Sequence, residues 1–216
     1  LWYDPCDDRL CGVERVIDQL EAETRAWRED RKGHVATGMR LWKRPHLQRF
    51  FGPLRFRDDP TEADRAAAET GRNLLIWAGK EPSGFQPQAP CLRVEDGFLR
   101  SRGLGADLVP PLSLVADDLG IYYDPSRRSR LDGLVARPMP AGGEARVRAL
   151  IARLRAGGVS KYNLSAPDLP DLPVGYRILV PGQVEDDASI LKGAGAVRTN
   201  LGLLQAVRAA NPGAVV

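Results

Sequence analysis

Glu95 and Asp96 stand side by side at the end of a short apolar run, CLRV. Gly97 follows at once, then Arg100, Ser101 and Arg102, with Gly103 and Gly105 close behind. Paired carboxylates with cations and flexible backbone beside them suit chemistry on an anionic substrate. A carboxylate can attack or stabilise a cationic sugar centre, while guanidinium groups and backbone amides hold a phosphate or carboxylate. Side chains alternate faces along a strand, so Leu92, Val94 and Asp96 are expected on one face and Arg93 and Glu95 on the other. The two acids then have different tasks, one facing a cleft and one pairing with a structural arginine. The plain alternative is a salt-bridged strand-to-loop turn, a common surface arrangement. The GLG at 103–105 lacks the rest of a GxGxxG motif and its following helix, which weighs against a nucleotide-sugar epimerase or dehydrogenase.

A second acidic stretch, Gln183, Glu185, Asp186 and Asp187, follows the apolar RILV at 177–180. Oxygen ligands suit a divalent cation, but acids also complement the positive end of a helix. Asp187 is assigned to a helix start, and Gln183, Glu185 and Asp186 are candidates for binding sugar hydroxyls. No metal is expected. Between the two acidic stretches lies SKYN at 160–163. Its Lys161 and Asn163 either reach an interdomain cleft or form the solvated face of a loop.

These residues need elements to position them. Residues 12–30 have the apolar spacing of an amphipathic helix, with Val13, Val16, Ile17, Leu20 and Trp27 on one stripe. LWKRPHLQRFFG predicts a short helix interrupted near Pro45 and ended by Gly52. Asp59, Pro60 and Gly71 punctuate a helix at its cap, first turn and end. Short buried strands are expected at NLLIWAGK, CLRVEDG, SLVADD, GIYYD and YRILVPG. Further helices are expected over 143–158 and after Asn200 as cap, ending at Asn211-Pro212-Gly213. The final AVV reads as the start of another strand. Helices alternating with short apolar strands predict an α/β architecture with parallel strands. The proline-rich stretch 164–175 reads as a joint. The expected organisation is an N-terminal helical segment (1–35), a first Rossmann-like, acceptor-side unit (36–163) and the beginning of a second, nucleotide-side unit (176–216).

Composition narrows the function class. The net charge is +3 with acids and bases interspersed, so no clustered basic face for nucleic acid is expected. No apolar run approaches the roughly 18–20 residues needed to cross a bilayer. Three cysteines, Cys6, Cys11 and Cys91, fit a reducing compartment, and Cys6 and Cys11 lack a second pair at zinc spacing. Trp42, Phe50 and Phe51 beside Lys43, Arg44 and Arg49 either meet a membrane surface or pack in the core. The chain does not begin with Met and reads as a piece of something longer.

Several long segments, in order, resemble the capsule polysaccharide biosynthesis proteins of the KpsC type, which are retaining β-Kdo glycosyltransferases. They are LWYDPCDDR, GMRLWKRPHLQRFFG, WAGK, RVEDGFLRSRGLGADLVPPLSLVADDLGIYYDPS, SKYN and ILVPGQVEDDASI. The opening resembles the start of the C-terminal module of such bimodular proteins. The resemblance implies a GT-B-like pair of Rossmann-type units, the second incomplete because members continue into a KPHP-like segment associated with holding the nucleotide. It implies CMP-β-Kdo as donor, with no separate cofactor, and a Kdo-primed glycolipid as acceptor. It also implies work at the cytoplasmic face of the inner membrane, with peripheral membrane contact and the capsule export machinery as partner. Retention implies double displacement through an aspartate adduct. Asp96 is the matching nucleophile, Glu95 its acid–base or orienting neighbour, and Arg100, Ser101 and Arg102 the groups nearest the donor's carboxylate or phosphate. Lys161, Asn163, Gln183, Glu185 and Asp186 complete the expected binding set. The alternative is a non-catalytic module that scaffolds capsule assembly and export.

Overall fold

The computed structural model describes residues 1–4, 8–139, 143–164 and 171–216. Its contacts divide the chain into two compact units, residues 1–92 and 93–216.

In the first unit, β1 (Trp2–Asp4) and β2 (Arg9–Cys11) form an antiparallel hairpin, with Trp2 opposite Cys11 and Asp4 opposite Arg9. The buried Asp4 carboxylate is paired with Arg15 of α1 (Val13–Asp30). Gly33, at φ +68°, then turns the chain into β3 (His34–Thr37); a Cβ there would meet the Pro53 carbonyl oxygen at 2.5 Å. A single 3-10 turn (Leu41–Lys43) leads into α2 (Arg44–Phe51), followed by β4 (Leu54–Phe56), α3 (Pro60–Thr70) and β5 (Asn73–Trp77). β4 and β5 pair parallel to β3 on its two sides. The core forms where α3 lays Ala63 and Ala67 against Val35 and Leu74, with Ala89 and Phe85 closing the cluster. The small alanines let the helix backbone approach the strands. Leu74, Leu75 and Ile76 are fully buried, each worth about 1.5–3 kcal/mol. Buried Asp64 of α3 accepts hydrogen bonds from the Gln88 and Ala89 amides, which pins the segment leading into β6 (Cys91–Asp96).

In the second unit, β7 (Leu114–Asp117) runs antiparallel to β6, placing Asp96 opposite Leu114 and Arg93 opposite Asp117. Parallel pairing needs a crossover, usually a helix. Residues 97–113 hold only one 3-10 turn (Gly105–Asp107), so the chain doubles back instead. The strand order is thus β4-β3-β5 in the first unit, and β6 pairs with β7 in the second. The helices α4 (Arg130–Val135), α5 (Gly143–Ala156), α6 (Ala188–Gly193) and α7 (Asn200–Ala210) follow. The expected strands at YRILVPG and AVV meet at one parallel bridge, Arg177 to Val215, flanked by amide-to-carbonyl bonds of 2.8 Å from Ile178 to Val215 and from Val215 to Tyr176.

Several local expectations change. GIYYD is a turn, because Asp117 takes the Leu119 and Gly120 amides and the Asp124 amide bonds back to the Ile121 carbonyl. Pro45 opens α2 at its first turn, where its missing N–H costs nothing, rather than interrupting it. The cap of α7 is Thr199, whose hydroxyl accepts the Gly202 amide, and Asn200 is freed for another use. Trp42 is half-buried, and Phe51 packs edge-on to the buried His34 ring. Phe50 stays exposed. Cys11 and Cys91 are half-buried, while Cys6 lies outside the described residues, as does residue span 165–170 of the expected joint.

Candidate active site

Val94 is fully buried, and Glu95 and Asp96 emerge half-buried at the carboxyl end of β6. Immediately beyond, the Gly97 amide donates to the Ser113 carbonyl at 2.9 Å. A Cβ at Gly97 would lie 3.0 Å from that carbonyl carbon, so glycine is needed for the close passage of residue 113. The 98–113 loop is then held to itself: the Leu112 amide donates to the Arg100 carbonyl and the Ser113 hydroxyl to the Leu99 carbonyl.

Arg100 is the organising residue of this loop. Only 2% of its side chain is exposed. Its Nε donates to Asp96 Oδ2 at 3.1 Å, and its Nη1 donates to Ser101 Oγ at 2.9 Å and to the Val109 carbonyl at 2.7 Å. A Cβ at Gly105 would come within 2.7 Å of Nη2, so that glycine makes room for the guanidinium. The fully buried Ser101 donates its hydroxyl proton to the Gly103 carbonyl. Asp96 keeps 22% of its side chain exposed. The cation therefore orients the carboxylate without hiding it.

SKYN docks on this loop from about sixty residues away. The Lys161 carbonyl accepts the Arg100 and Ser101 amides, the Tyr162 carbonyl accepts the Gly103 amide, and Asn163 Nδ2 donates to the Ser101 carbonyl. Asn163 itself sits at φ +49°, closed by reciprocal bonds with Ser160. Two short motifs thus form one platform beside Asp96. Lys161 and Arg102 project from it exposed, and neither has an ion-pair partner among the described residues.

Tyr122 and Tyr123, stacked edge to face at 5.3 Å, form the other side. Burial, then the charges of Glu95, Asp187 and Asp96, push the Tyr122 phenol above its ordinary value. Burial and Glu95 push Tyr123 much further up, so it stays a donor, 3.5 Å from Glu95 Oε2. Asp187 caps α6 by accepting the Ser189 amide and hydroxyl, and those bonds hold its carboxyl below the usual range. The helix-start assignment holds, yet Asp187 also adds to the field on both tyrosines. The buried Asp124 holds α6 in place through Lys192 Nζ at 2.6 Å. An open cleft of about 600 Å³ runs between Tyr122, Tyr123 and Asp124 on one side and Ser189 and Ile190 on the other.

The structure therefore gathers Glu95, Asp96, Arg100, Ser101, Lys161 and Asn163. Arg100 and Ser101 spend their polar atoms on the loop itself, so they position the site. Asn200 ties the second acidic stretch together: its side chain exchanges bonds with the Gln183 backbone, and its amide donates to Glu185. Gln183 and Glu185 line a separate hollow of about 70 Å³ with Ile190, Thr199 and Leu203. Asp186 is exposed without a partner among the described residues. Sequence reasoning missed Tyr122 and Tyr123. Their signal was an aromatic pair directly after a strand and before Asp124-Pro125, obscured by reading GIYYD as a strand. Among the described residues no group of three or more His, Cys, Asp or Glu side chains could hold a metal ion.

Residues 83–146 match the family described as "Capsule polysaccharide biosynthesis protein". The chain is 38% identical over 219 residues to the capsule polysaccharide modification protein LipA of Neisseria meningitidis, covering 97% of this chain and 30% of LipA. Two solved structures from Thermosulfurimonas dismutans are similar. One is KpsC, beta Kdo 2,7 transferase (33% identity, TM-score 0.64), and the other is KpsC, beta Kdo 2,4 transferase (31%, 0.65). Each alignment covers 84% of this chain and 58% of the other. The chain thus spans about a third of LipA and somewhat over half of the KpsC chains. In sequence and in its mixed α/β fold, the chain is similar to capsule polysaccharide biosynthesis proteins, including the two KpsC transferases.

Proposed function

We propose that this chain is part of a retaining β-Kdo glycosyltransferase that uses CMP-β-Kdo to extend a Kdo-primed glycolipid during capsule synthesis. Its first elements belong to the acceptor-side unit of a GT-B arrangement, and residues 176–216 begin the nucleotide-side unit. The observation that carries the reading is Asp96 at the carboxyl end of β6, oriented by buried Arg100 and flanked by the SKYN platform. Departure of CMP leaves positive character on the Kdo anomeric carbon. An Asp96 oxygen bonds to that carbon as the bond to the phosphate oxygen breaks. Glu95 then takes the proton of the acceptor hydroxyl, whose oxygen displaces Asp96, and two inversions retain configuration. A prefixed carboxylate needs little reorganisation at either step. Arg102 and Lys161 are the free cations for the donor's anionic groups. The work takes place at the cytoplasmic face of the inner membrane by peripheral contact, and the product passes to the export machinery.

The test uses a longer protein that contains this chain. Incubated with CMP-β-Kdo and a synthetic Kdo-primed acceptor, it extends the acceptor, and mass spectrometry finds one Kdo on the peptide carrying Asp96. Asp96→Asn lowers transfer by at least about a thousandfold, as loss of a nucleophile does. One observation favours a second reading: an oxygen of Asp96 already accepts from a buried arginine, as in a structural ion pair. In a scaffolding module, Asp96→Asn leaves capsule assembly intact.

A further inference from the structure

Two amphipathic helices leave their apolar stripes uncovered, and their charges are opposite. α1 carries three arginines against six acids, and α5 carries four arginines against one glutamate. Neither helix contains a buried residue. A helix of 14 residues is marginal on its own in water, so α5 needs a surface to lie on. At about 100° per residue, Val147, Leu150, Ile151 and Leu154 fill a stripe roughly 100° wide. Val147, Leu150 and Ile151 are 37–53% exposed. Arg146 and Arg153 lie about 40–60° beyond one edge of that stripe, and Arg148 and Arg155 about as far beyond the other. The stripe thus runs between two rows of cations, and the back of the helix is alanine. Arg148 is bonded to Glu144, while Arg153 and Arg155 are exposed with no side-chain partner among the described residues. The helix is about 21 Å long, too short to cross a hydrocarbon layer of about 30 Å. Among the described residues no helix is long and apolar enough to do so.

We infer that α5 is a docking surface for an anionic lipid bilayer. It lies in the interfacial plane, with Val147, Leu150 and Ile151 among the acyl chains and its two arginine rows at the phosphates. Arginine stems cover apolar surface while their charged heads reach water, so cations along both edges of a stripe fit the boundary between hydrocarbon and headgroup. A nucleic acid would meet the cations through its phosphates but would leave the stripe bare. The α1 stripe has the same apolar character with the reverse charge, and an anionic surface repels it. That the bilayer carries an acceptor glycolipid rests on the transferase reading above; the docking surface rests on charge and exposure alone.

The experiment measures co-sedimentation of the 216-residue chain, and of a longer protein containing it, with vesicles. One set holds phosphatidylcholine and phosphatidylglycerol in equal parts, and the other holds phosphatidylcholine alone. Both proteins bind the mixed vesicles and not the neutral ones. Arg153→Gln with Arg155→Gln weakens binding roughly 25-fold, since each basic residue at an anionic surface contributes a factor of about five. Leu150→Gln with Ile151→Gln weakens it at least about tenfold. All four positions are exposed, glutamine keeps the helix propensity, and circular dichroism checks that the fold is retained. Ile17→Gln with Leu20→Gln in α1 leaves binding unchanged. Equal binding of the two vesicle types, indifference to the arginine pair, or loss of binding in the α1 variant overturns the proposal. So does binding by the 216-residue chain but not by the longer protein, because the longer chain then covers α5 itself. Duplex DNA that binds more tightly than the mixed vesicles, and is indifferent to Leu150→Gln with Ile151→Gln, assigns the cations to nucleic acid and overturns it too. A longer protein that transfers Kdo without binding vesicles overturns this surface and leaves the transferase reading standing. Vesicle binding without transfer supports the surface and sinks that reading.

Discussion

A guanidinium buried beside a carboxylate does a different job from one in water, and Arg100 and Arg102 show both two residues apart. Arg100 is sealed in its loop and spends Nε and Nη1 on Asp96, Ser101 and the Val109 carbonyl. Removing it leaves buried acceptors without their donor. Arg100→Ala is therefore expected to cost about 3–5 kcal/mol of stability, the loss typical of a broken buried pair. Arg102→Ala is expected to change stability by less than about 0.5 kcal/mol, while raising the donor KM of the longer protein. Urea denaturation and donor titration separate the two. A stable Arg100→Ala variant defective only in donor binding would move Arg100 back among the substrate ligands.

The helix α6 is six residues long, too short to hold itself, and is fastened at both ends by acids. Asp187 caps it, and Asp124 reaches Lys192 near its end. Burial alone would raise the Asp124 carboxyl, but hydrogen bonds from Lys192 and from the Ser126 hydroxyl and amide prevail and hold it at about 2. A carboxylate depressed on folding adds stability above its unfolded value near 3.8, and that contribution fades as pH falls through about 2. The protection factors of the α6 amides against hydrogen exchange are thus expected to stay flat down to about pH 4 and to fall below it. Lys192→Ala lifts the Asp124 carboxyl toward its ordinary value, so protection is lower near neutral pH and falls less between about pH 4 and 2. An unchanged profile in that variant would remove the Lys192 tether from the account. At the same scale, α3 was fully legible: Asp59 takes the Glu62 amide, Pro60 occupies the first turn, and Gly71 ends the helix at φ +59°. Those signals act within one turn of chain and need no partner.

Across the whole chain, helical periodicity and burial part company. Val13, Ile17, Leu20 and Trp27 of α1 are 45–63% exposed, and Val147, Leu150 and Ile151 of α5 are also exposed. The expected stripes are present, but they remain substantially exposed. Exposed stripes of this kind bind hydrophobic dyes. The 216-residue chain is expected to enhance ANS fluorescence well above a longer protein at equal molar concentration, since it covers only 30% of LipA and 58% of the KpsC chain it matches. Equal enhancement would mean that these faces stay bare in both.

The sequence by itself determined the α/β alternation, the caps of α3, and the strand end bearing Glu95 and Asp96, because propensity, capping and period-two alternation act over a few residues. It also supplied the motifs that mark the capsule relatives. Only the tertiary structure decided that Arg100 pairs with Asp96, that SKYN binds the loop at 98–113, and that Glu185 accepts the Asn200 amide. It also turned GIYYD from a strand into a pair of tyrosines beside Glu95. Each of these depends on which group a side chain meets after burial. A hydrogen bond across sixty residues leaves no trace in local spacing, because its partners are chosen by packing and not by the chain between them.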